Sequence, residues 1–427
     1  MNPAEHVQER FPTFPDHAAP ALSIVRPSDG PIVAERFSLR LSVSLEAVEG
    51  LRPIWEPWSR NLDTDLDYYL HNLKNDSTIL HPFVITAYLD GVAQAMLVGQ
   101  VRKQRVSTVV SFVNVRGPKV KVLEIVNGGR MGKQSPAIDR LLASQLRAAT
   151  RIVDVDLLCF RRLPLQSELF RMLQQAPGLL MKERVPHVFY YSVIPLTASP
   201  GNPVRALSGK NRREVRRKTR ILQRNFPGKA SFRCFAQPGE LEAGLREAAS
   251  VDVATWQHYL GCGLVDAQRN NNNLAFCAEQ GWLRIYVMYI EQSPVAFLIG
   301  QHYKRTFYCQ HAGYHPDFAR FSVGSLLTAS VLETLAAEGV EQVDLGEGSQ
   351  EHNRRLGCRI YEEGTVHVYA PTLRGLYLNT LFAATHTIRK IGRGSITKLR
   401  LNRASKGWAR FLISRWKARK VAGDSCS

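Results

Sequence analysis

Residues 307–357 read FYCQHAGYHPDFARFSVGSLLTASVLETLAAEGVEQVDLGEGSQEHNRRLG, and the reading of this stretch decides the fold. Residues 308–313 are a short apolar and aromatic run that stops at Gly313 and Pro316, the pattern of a strand entering a turn. Ser322 then precedes Leu326, Leu327, Val331, Leu332 and Leu335 at helical spacing. The spacing predicts a helix with Ser322 as its N-cap and Gly339 at its end. Residues 340–345 enter a second strand, and a polar loop follows. The turn Ser322-Val323-Gly324-Ser325, with Leu326, puts free backbone N–H groups at the positive end of a helix dipole, which suits a phosphate or pyrophosphate. An ordinary strand–helix–strand packing unit uses the same residues, and both readings stand on this stretch alone.

Working outward, the same order of elements occurs twice. In the first half, residues 83–101, FVITAYLDGVAQAMLVGQV, predict a hairpin, because Asp90-Gly91 suits a type I′ turn. Strands at 106–113 and 120–126 follow, then a helix over 135–150, a strand over 153–160, a helix near 166–175 and a strand over 187–194. In the second half a hairpin at 283–303 turns around Gln292-Ser293-Pro294, and the opening stretch continues it. A last strand is expected at 365–369. PLTASPGNPVRALSGK, between the halves, is Pro/Gly/Ser-rich without periodicity and reads as a linker.

The 427 residues are long enough for two or three domains, and 44% hydrophobic residues fits a globular chain. No run approaches the roughly 18–20 apolar residues that span a bilayer. The polar, Pro-containing start lacks the layout of a secretory signal and reads as a disordered leader over 1–30. The seven cysteines, Cys159, Cys234, Cys262, Cys277, Cys309, Cys358 and Cys426, are scattered and never in CxxC spacing. That argues against a metal cluster or disulfide framework and for a reducing, cytoplasmic setting.

The formal charge is +19, and it is concentrated. Residues 205–224 hold nine Lys/Arg and one acid, Glu214; residues 389–420 hold twelve and no acid. Such blocks bind polyanions. In the first block Arg213, Arg216, Arg217, Arg220 and Arg224 form a stripe along one helix face. In the second, Trp408, Phe411, Leu412 and Trp416 alternate with basic residues, the composition of an interfacial helix at the inner face of an anionic membrane.

The run GYHPDFARFSVGSLL…EGVEQVDLGEGSQEHNRRLG, the basic segment SGKNRREVRRKTRILQR at 208–224 and the hairpin GWLRIYVMYIEQSPVAFLIGQHYKRTFYCQHAGY together resemble the CelD-like acyltransferases of the GNAT superfamily, relatives of the FemAB peptidyltransferases. The likeness covers 207–357 well and the first half weakly. It implies an α+β fold of tandem GNAT-like domains, each a mixed, mostly antiparallel sheet flanked by helices. The expected domains are 31–195 (a degenerate copy), a linker at 196–207, an acyltransferase domain at 208–372 and a basic amphipathic tail at 373–427. It also implies acyl-CoA as co-substrate, direct attack without a covalent enzyme intermediate, and a sugar, amine or envelope-precursor acceptor. FemAB-type proteins use aminoacyl-tRNA instead, and the basic helix would suit a tRNA. A third reading is a non-catalytic, polyanion-binding GNAT fold. One departure stands out: His352 and Asn353 occupy the places where the family usually has a Tyr-Lys pair.

On this reading the donor clamp is Ser322, Val323, Gly324, Ser325 and Leu326, with Arg320 supplying charge. Candidate bases are His311, whose ordinary pKa suits proton transfer near neutrality, then Glu347 between Gly346 and Gly348, then Asp344, which also fits a loop cap. Tyr314, Gly346, Gly348, His352, Arg354, Arg216 and Arg217 are candidate acceptor or anion contacts.

Overall fold

The computed structural model describes residues 37–110, 113–152, 154–175, 183, 187–196, 209–255, 271–347 and 358–398. The strands of the first half are β1 (Phe37–Ser42), β2 (Ile79–Leu89), β3 (Val92–Val110), β4 (Val113–Gly132), β5 (Leu157–Pro164) and β6 (His187–Pro195). Those of the second are β7 (Ala230–Phe235), β8 (Leu283–Ile290), β9 (Ser293–Tyr303), β10 (Thr306–Tyr314), β11 (Gln342–Glu347) and β12 (Arg359–Tyr369). The helices are α1 (Leu45–Glu49), α2 (Arg52–Trp55), α3 (Leu66–Asn75), α4 (Pro136–Ile152), α5 (Glu168–Gln174), α6 (Gly209–Asn225), α7 (Leu241–Asp252), α8 (Asn271–Glu279), α9 (Val323–Ala337) and α10 (Leu373–Lys398).

The halves have the expected element order, but their strands form one continuous sheet, β1-β2-β3-β4-β5-β12-β6-β11-β10-β9-β8-β7. Read from either edge, five strands of one half are followed by the closing strand of the other. β12, from the second half, lies against β5; β6, from the first, lies against β11. The two exchanged strands pair antiparallel at the centre, Arg359 opposite Val193 through Thr365 opposite His187. Among the described neighbours only β4·β5 and β10·β11 are parallel.

Each half buries its own cores. In the first half α4 and α5 cover one face through Leu142, Leu146, Leu169 and Phe170, while α1 to α3 cover the other through Trp55, Leu66 and Tyr69. In the second, α9 covers one face with Leu327, Val331 and Leu335, joined by Leu222 of α6. On the other, α7 and α8 pack with Leu62 and Tyr68 of the first half. Hydrophobic packing therefore crosses the junction as the sheet does.

The helix read from the opening stretch is α9, and Gly339 (φ +80°) follows its last turn. Ser322 starts it without a side-chain cap. It also ends the short 3₁₀ turn Pro316–Phe321, and its backbone is left-handed at φ 57°. A capping hydroxyl normally reaches the first-turn amides from extended backbone, which Ser322 lacks. The expected start of a separate tail at 373 is instead a helix docked on the sheet, with Leu378 fully buried beside Val106, Val120 and Tyr369. Among the described residues no helix is long and apolar enough to cross a membrane.

Candidate active site

β10 and β11 pair for three residues only, Thr306 with Gln342, Phe307 with Val343 and Tyr308 with Asp344. β10 then follows β9 to Tyr314, with an irregularity between Cys309 and His311. β11 follows β6, with one between Asp344 and Glu347. The strands part beyond Tyr308 and Asp344, leaving main-chain polar groups along the edges of the gap for a ligand to meet.

The predicted clamp lies on one side of this gap. Tyr314 pairs with Ala296, and its ring sits against Gly324, where an added Cβ would meet it at 3.4 Å. Of the predicted donor amides, those of Ser325 and Leu326 already donate to the Ser322 carbonyl at 2.9 and 3.1 Å, so the open end of α9 is presented by Val323 and Gly324. Arg320 is exposed, its guanidinium 4.6 Å from the Phe321 ring. α6 packs beside this turn: Phe226 meets Phe321 edge-on at 5.4 Å, and Lys218 donates to the Arg320 carbonyl. That contact sets the arginine stripe next to the clamp. Arg213, Arg216, Arg217, Arg220 and Arg224 are all exposed, and Arg217 is held by Glu214 at 2.6 Å.

The other predicted residues face elsewhere. His311 pairs with Ile299 and turns toward α7. Burial lowers its pKa and Asp252 partly restores it, so the imidazole is neutral at physiological pH. Asp344 lies at the junction of the halves. Its Oδ1 accepts from the Gly346 amide at 2.7 Å, and its Oδ2 accepts from the Tyr191 hydroxyl. Gly346 is left-handed at φ 64°, a conformation glycine takes without steric penalty. Asp344 is therefore both the loop cap and a member of a polar cluster. Glu347 stands opposite Tyr191 and lines a separate cavity with Arg161. Gly348, His352 and Arg354 lie outside the described residues.

The cluster around Asp344 is built mostly from the first half. Arg162 bonds Glu363 at 2.9 Å, stands 3.7 Å from Asp344 and stacks 3.6 Å over the Tyr191 ring. Asp63 adds a third carboxyl, held by Asn127. Burial raises the pKa of Asp63, Asp344 and Glu363 above the usual carboxylate range, and Arg162 offsets it in each case. Burial followed by the Asp344 charge also raises Tyr191, so it stays a neutral donor. Arg162, Tyr191, Asp344 and Glu363 border a cavity of about 500 Å³ that is also lined by Arg60, Asn127 and Tyr308. A second cavity of about 460 Å³ is lined by Asp63, Glu124, Arg161, Asn273, Glu347 and Thr365. Sequence reasoning missed Arg162, Tyr191 and Asp63. The one available signal was Arg161-Arg162, a charged pair inside the otherwise apolar strand LLCFRRLP.

In the first half, β4 and β5 also pair briefly, from Val122 with Leu157 to Ile125 with Phe160. The start of its α4 is filled from within. Arg130 bonds Asp139 of the first turn at 2.8 Å and also the carbonyls of Met131 and Lys133. A protein carboxylate sits where an anion would bind.

Residues 209–354 match the family model described as an acetyltransferase (GNAT) domain. Over these residues the chain is similar to GNAT acetyltransferase domains. The GNAT match takes in α6, the parted strands and the clamp, so the acyl-transfer scaffold and the candidate donor site coincide. Similar solved structures include FemX (9% identity, 75% of this chain and 96% of that one, TM-score 0.48). L-PGS from Bacillus licheniformis is 13% identical (80% and 96% covered, TM-score 0.44). A tandem GNAT protein from the clavulanic acid biosynthesis pathway is 12% identical (78% and 99% covered, TM-score 0.44). No curated protein matches the chain.

Proposed function

We propose that the chain transfers an acyl group from acyl-CoA to an amine or hydroxyl of a sugar, as in an envelope or exopolysaccharide precursor. One observation carries this reading. Within the GNAT domain β10 and β11 part, with the α9 amides on one side and the Asp344–Tyr191–Arg162 cluster on the other. The α9 amides, Arg320, and Arg216 and Arg217 of α6 take the phosphates of the donor. The thioester threads the gap, where main-chain N–H groups meet the developing oxyanion.

The acceptor enters the 500 Å³ cavity between the halves. Arg60, Asn127, Arg162, Tyr191 and Asp344 on its wall offer hydrogen-bond partners to hydroxyl and amino groups. Asp344, raised by burial, takes the proton lost by the attacking nitrogen or oxygen, and neutral His311 is the second candidate base. The acyl carbon–sulfur bond breaks as the new bond forms, and CoA leaves as the thiol. Isothermal titration with acetyl-CoA and a long-chain acyl-CoA tests the donor. Micromolar binding that vanishes in Gly324→Glu supports the assignment, and no heat from either ligand in folded protein removes it.

The exposed arginine stripe of α6 keeps an aminoacyl-tRNA donor as the second reading. RNA affinity that falls steeply with salt, without CoA binding, would favour it. The basic aromatic segment at 406–420 lies outside the described residues; on this proposal it holds the enzyme peripherally at the inner membrane, and vesicle binding after deletion of residues 392–427 tests that role.

A further inference from the structure

A hairpin of the first half and a helix of the second form a platform beyond the sheet. β2 stops pairing with β3 at Arg102, and β5 pairs with β4 only from Val122 to Ile125. From Gln104 opposite Val120 to Val110 opposite Val113, β3 and β4 pair, among the described residues, only with each other, as a two-stranded ribbon. Its outer residues 106–115, VSTVVSFVNV, carry no charge, and Lys103, Arg105, Arg116, Lys119 and Lys121 flank them. α10 lies along the base of this ribbon. Leu378 and Phe382 pack with Val106 and Val120, and a Cβ on Gly117 would meet the Leu381 side chain at 3.5 Å.

The outward face of α10 is apolar and uncovered. Leu373, Tyr377 and Ile388 are 87%, 55% and 51% exposed, and at 3.6 residues per turn they fall within about 60° of one another. Exposed Thr380 and Ala384 fill the spaces between them, so the stripe carries no charge. A surface helix ordinarily turns polar residues to that side. Lys119 and Arg374 are exposed beside the stripe, in a cleft of about 300 Å³ shared with Leu373 and Tyr377. The exposed acid Asp154 is held by Lys121 at 2.8 Å. Residues 91–123 and 364–423 contain no Asp or Glu, where the chain's average of 37 in 427 would place about eight. They hold six and thirteen Lys/Arg. Two acid-free stretches far apart in sequence thus meet on one surface, with apolar side chains among the cations. A nucleic acid would match the cations and leave the stripe in water. An anionic bilayer matches both, taking apolar groups at its acyl boundary and cations at its phosphates.

We propose that the α10 stripe and the uncharged end of the β3–β4 ribbon are a docking surface for an anionic lipid bilayer. Leu373, Tyr377 and Ile388, with residues 106–115, enter the boundary between headgroups and acyl chains, while Lys119, Arg374 and the basic block at 389–420 bind lipid phosphates. This surface belongs to the folded core. It adds to the anchor at 406–420 proposed above and depends neither on that anchor nor on the acyl donor.

Co-sedimentation of the full-length protein with lipid vesicles tests it. Wild type should pellet with equimolar phosphatidylglycerol and phosphatidylcholine, and should bind phosphatidylcholine alone about tenfold or more weakly. Leu373→Asp/Tyr377→Asp should lose about a hundredfold in affinity for the anionic vesicles, about tenfold for each apolar group no longer taken from water. Its melting should not change, because both side chains are exposed. Val110→Asp in the ribbon should lose about tenfold. Trp408→Ser/Trp416→Ser reports on the anchor separately. Full binding by that variant together with loss in the Asp variants supports the docking surface and removes the anchor. Wild-type affinity in the folded Leu373→Asp/Tyr377→Asp protein overturns the docking surface, whatever the tryptophan variant does. No pelleting of wild type overturns both. Equal binding to the two kinds of vesicle overturns the match of charge. Dimers in light scattering that Leu373→Asp/Tyr377→Asp dissociates, without vesicle binding, would assign the stripe to a second copy of the chain and overturn the proposal.

Discussion

Tyr191→Phe is the substitution that tests the cluster at the junction most directly. The change removes one hydroxyl and keeps the ring, so the stack with Arg162 and the 6.2 Å contact with Tyr361 survive. What is lost is the hydrogen bond to Asp344 Oδ2, together with the interaction of the hydroxyl with Arg162. That bond lowers the pKa of Asp344 against the opposing effect of burial, so its loss must raise the pKa further. A hydrogen bond to a charged group is worth about 1.5–3 kcal/mol, and one pKa unit corresponds to about 1.4 kcal/mol. The acid limb of kcat/KM should therefore move upward by about one to two units. The rate on the alkaline side should stay within a few-fold, because Asp344 is ionised there in both proteins. CoA release, followed as free thiol from pH 5 to 9, reads both quantities. An acid limb at the same pH in a variant with normal melting would refute Asp344 as the base. A limb that moves downward would refute the electrostatic reasoning itself.

Gly324→Ala should bind donor nearly as wild type, because the added methyl meets only the Tyr314 ring at 3.4 Å, whereas Gly324→Glu should abolish binding. Equal loss in both would show that the glycine is needed for the backbone rather than for an open approach. Arg130→Met strands Asp139 in the first half and should cost about 3–5 kcal/mol in chemical denaturation without lowering donor affinity. A cost below about 1 kcal/mol would mean that the pair is not a desolvated one. His71, His81 and His311 all have pKa values lowered first by burial. The unfolded chain binds their protons more readily, so they contribute stability above about pH 6.5 that is lost as pH falls through their folded values. Relative to wild type, His311→Asn should lose less melting temperature, or gain more, between pH 7.5 and 5.5; an unchanged pH slope would count against this residue.

The candidate site was only partly legible. The turn at 322–326, proposed as the donor clamp, with its helix and the glycine beyond it, follows from local periodicity and turn chemistry, and the structure has the helix and the glycine where they were expected. The stripe on α6 is a property of one helix face, so spacing alone revealed that it is exposed. Asp344 was visible as a polar residue in an apolar strand, but its partners were not. Arg162 and Tyr191 lie 182 and 153 positions earlier in the chain, and no local pattern connects them. The cap at Ser322 failed because the turn before it dictated the backbone.

By itself the sequence determined the order of elements in each half, the two basic blocks and the glycine-bearing turn that opens α9, because these depend on residues within a few turns of one another. Only the tertiary structure decided that β6 and β12 change places and fuse two sheets into one. Strand pairing is set by which edges are free once the halves meet, and a single strand carries no mark of its partner. That exchange is what brings Tyr191 to Asp344 and His367 to Cys159. The Asp344 cluster is therefore a product of the junction between the halves, where the sequence says least.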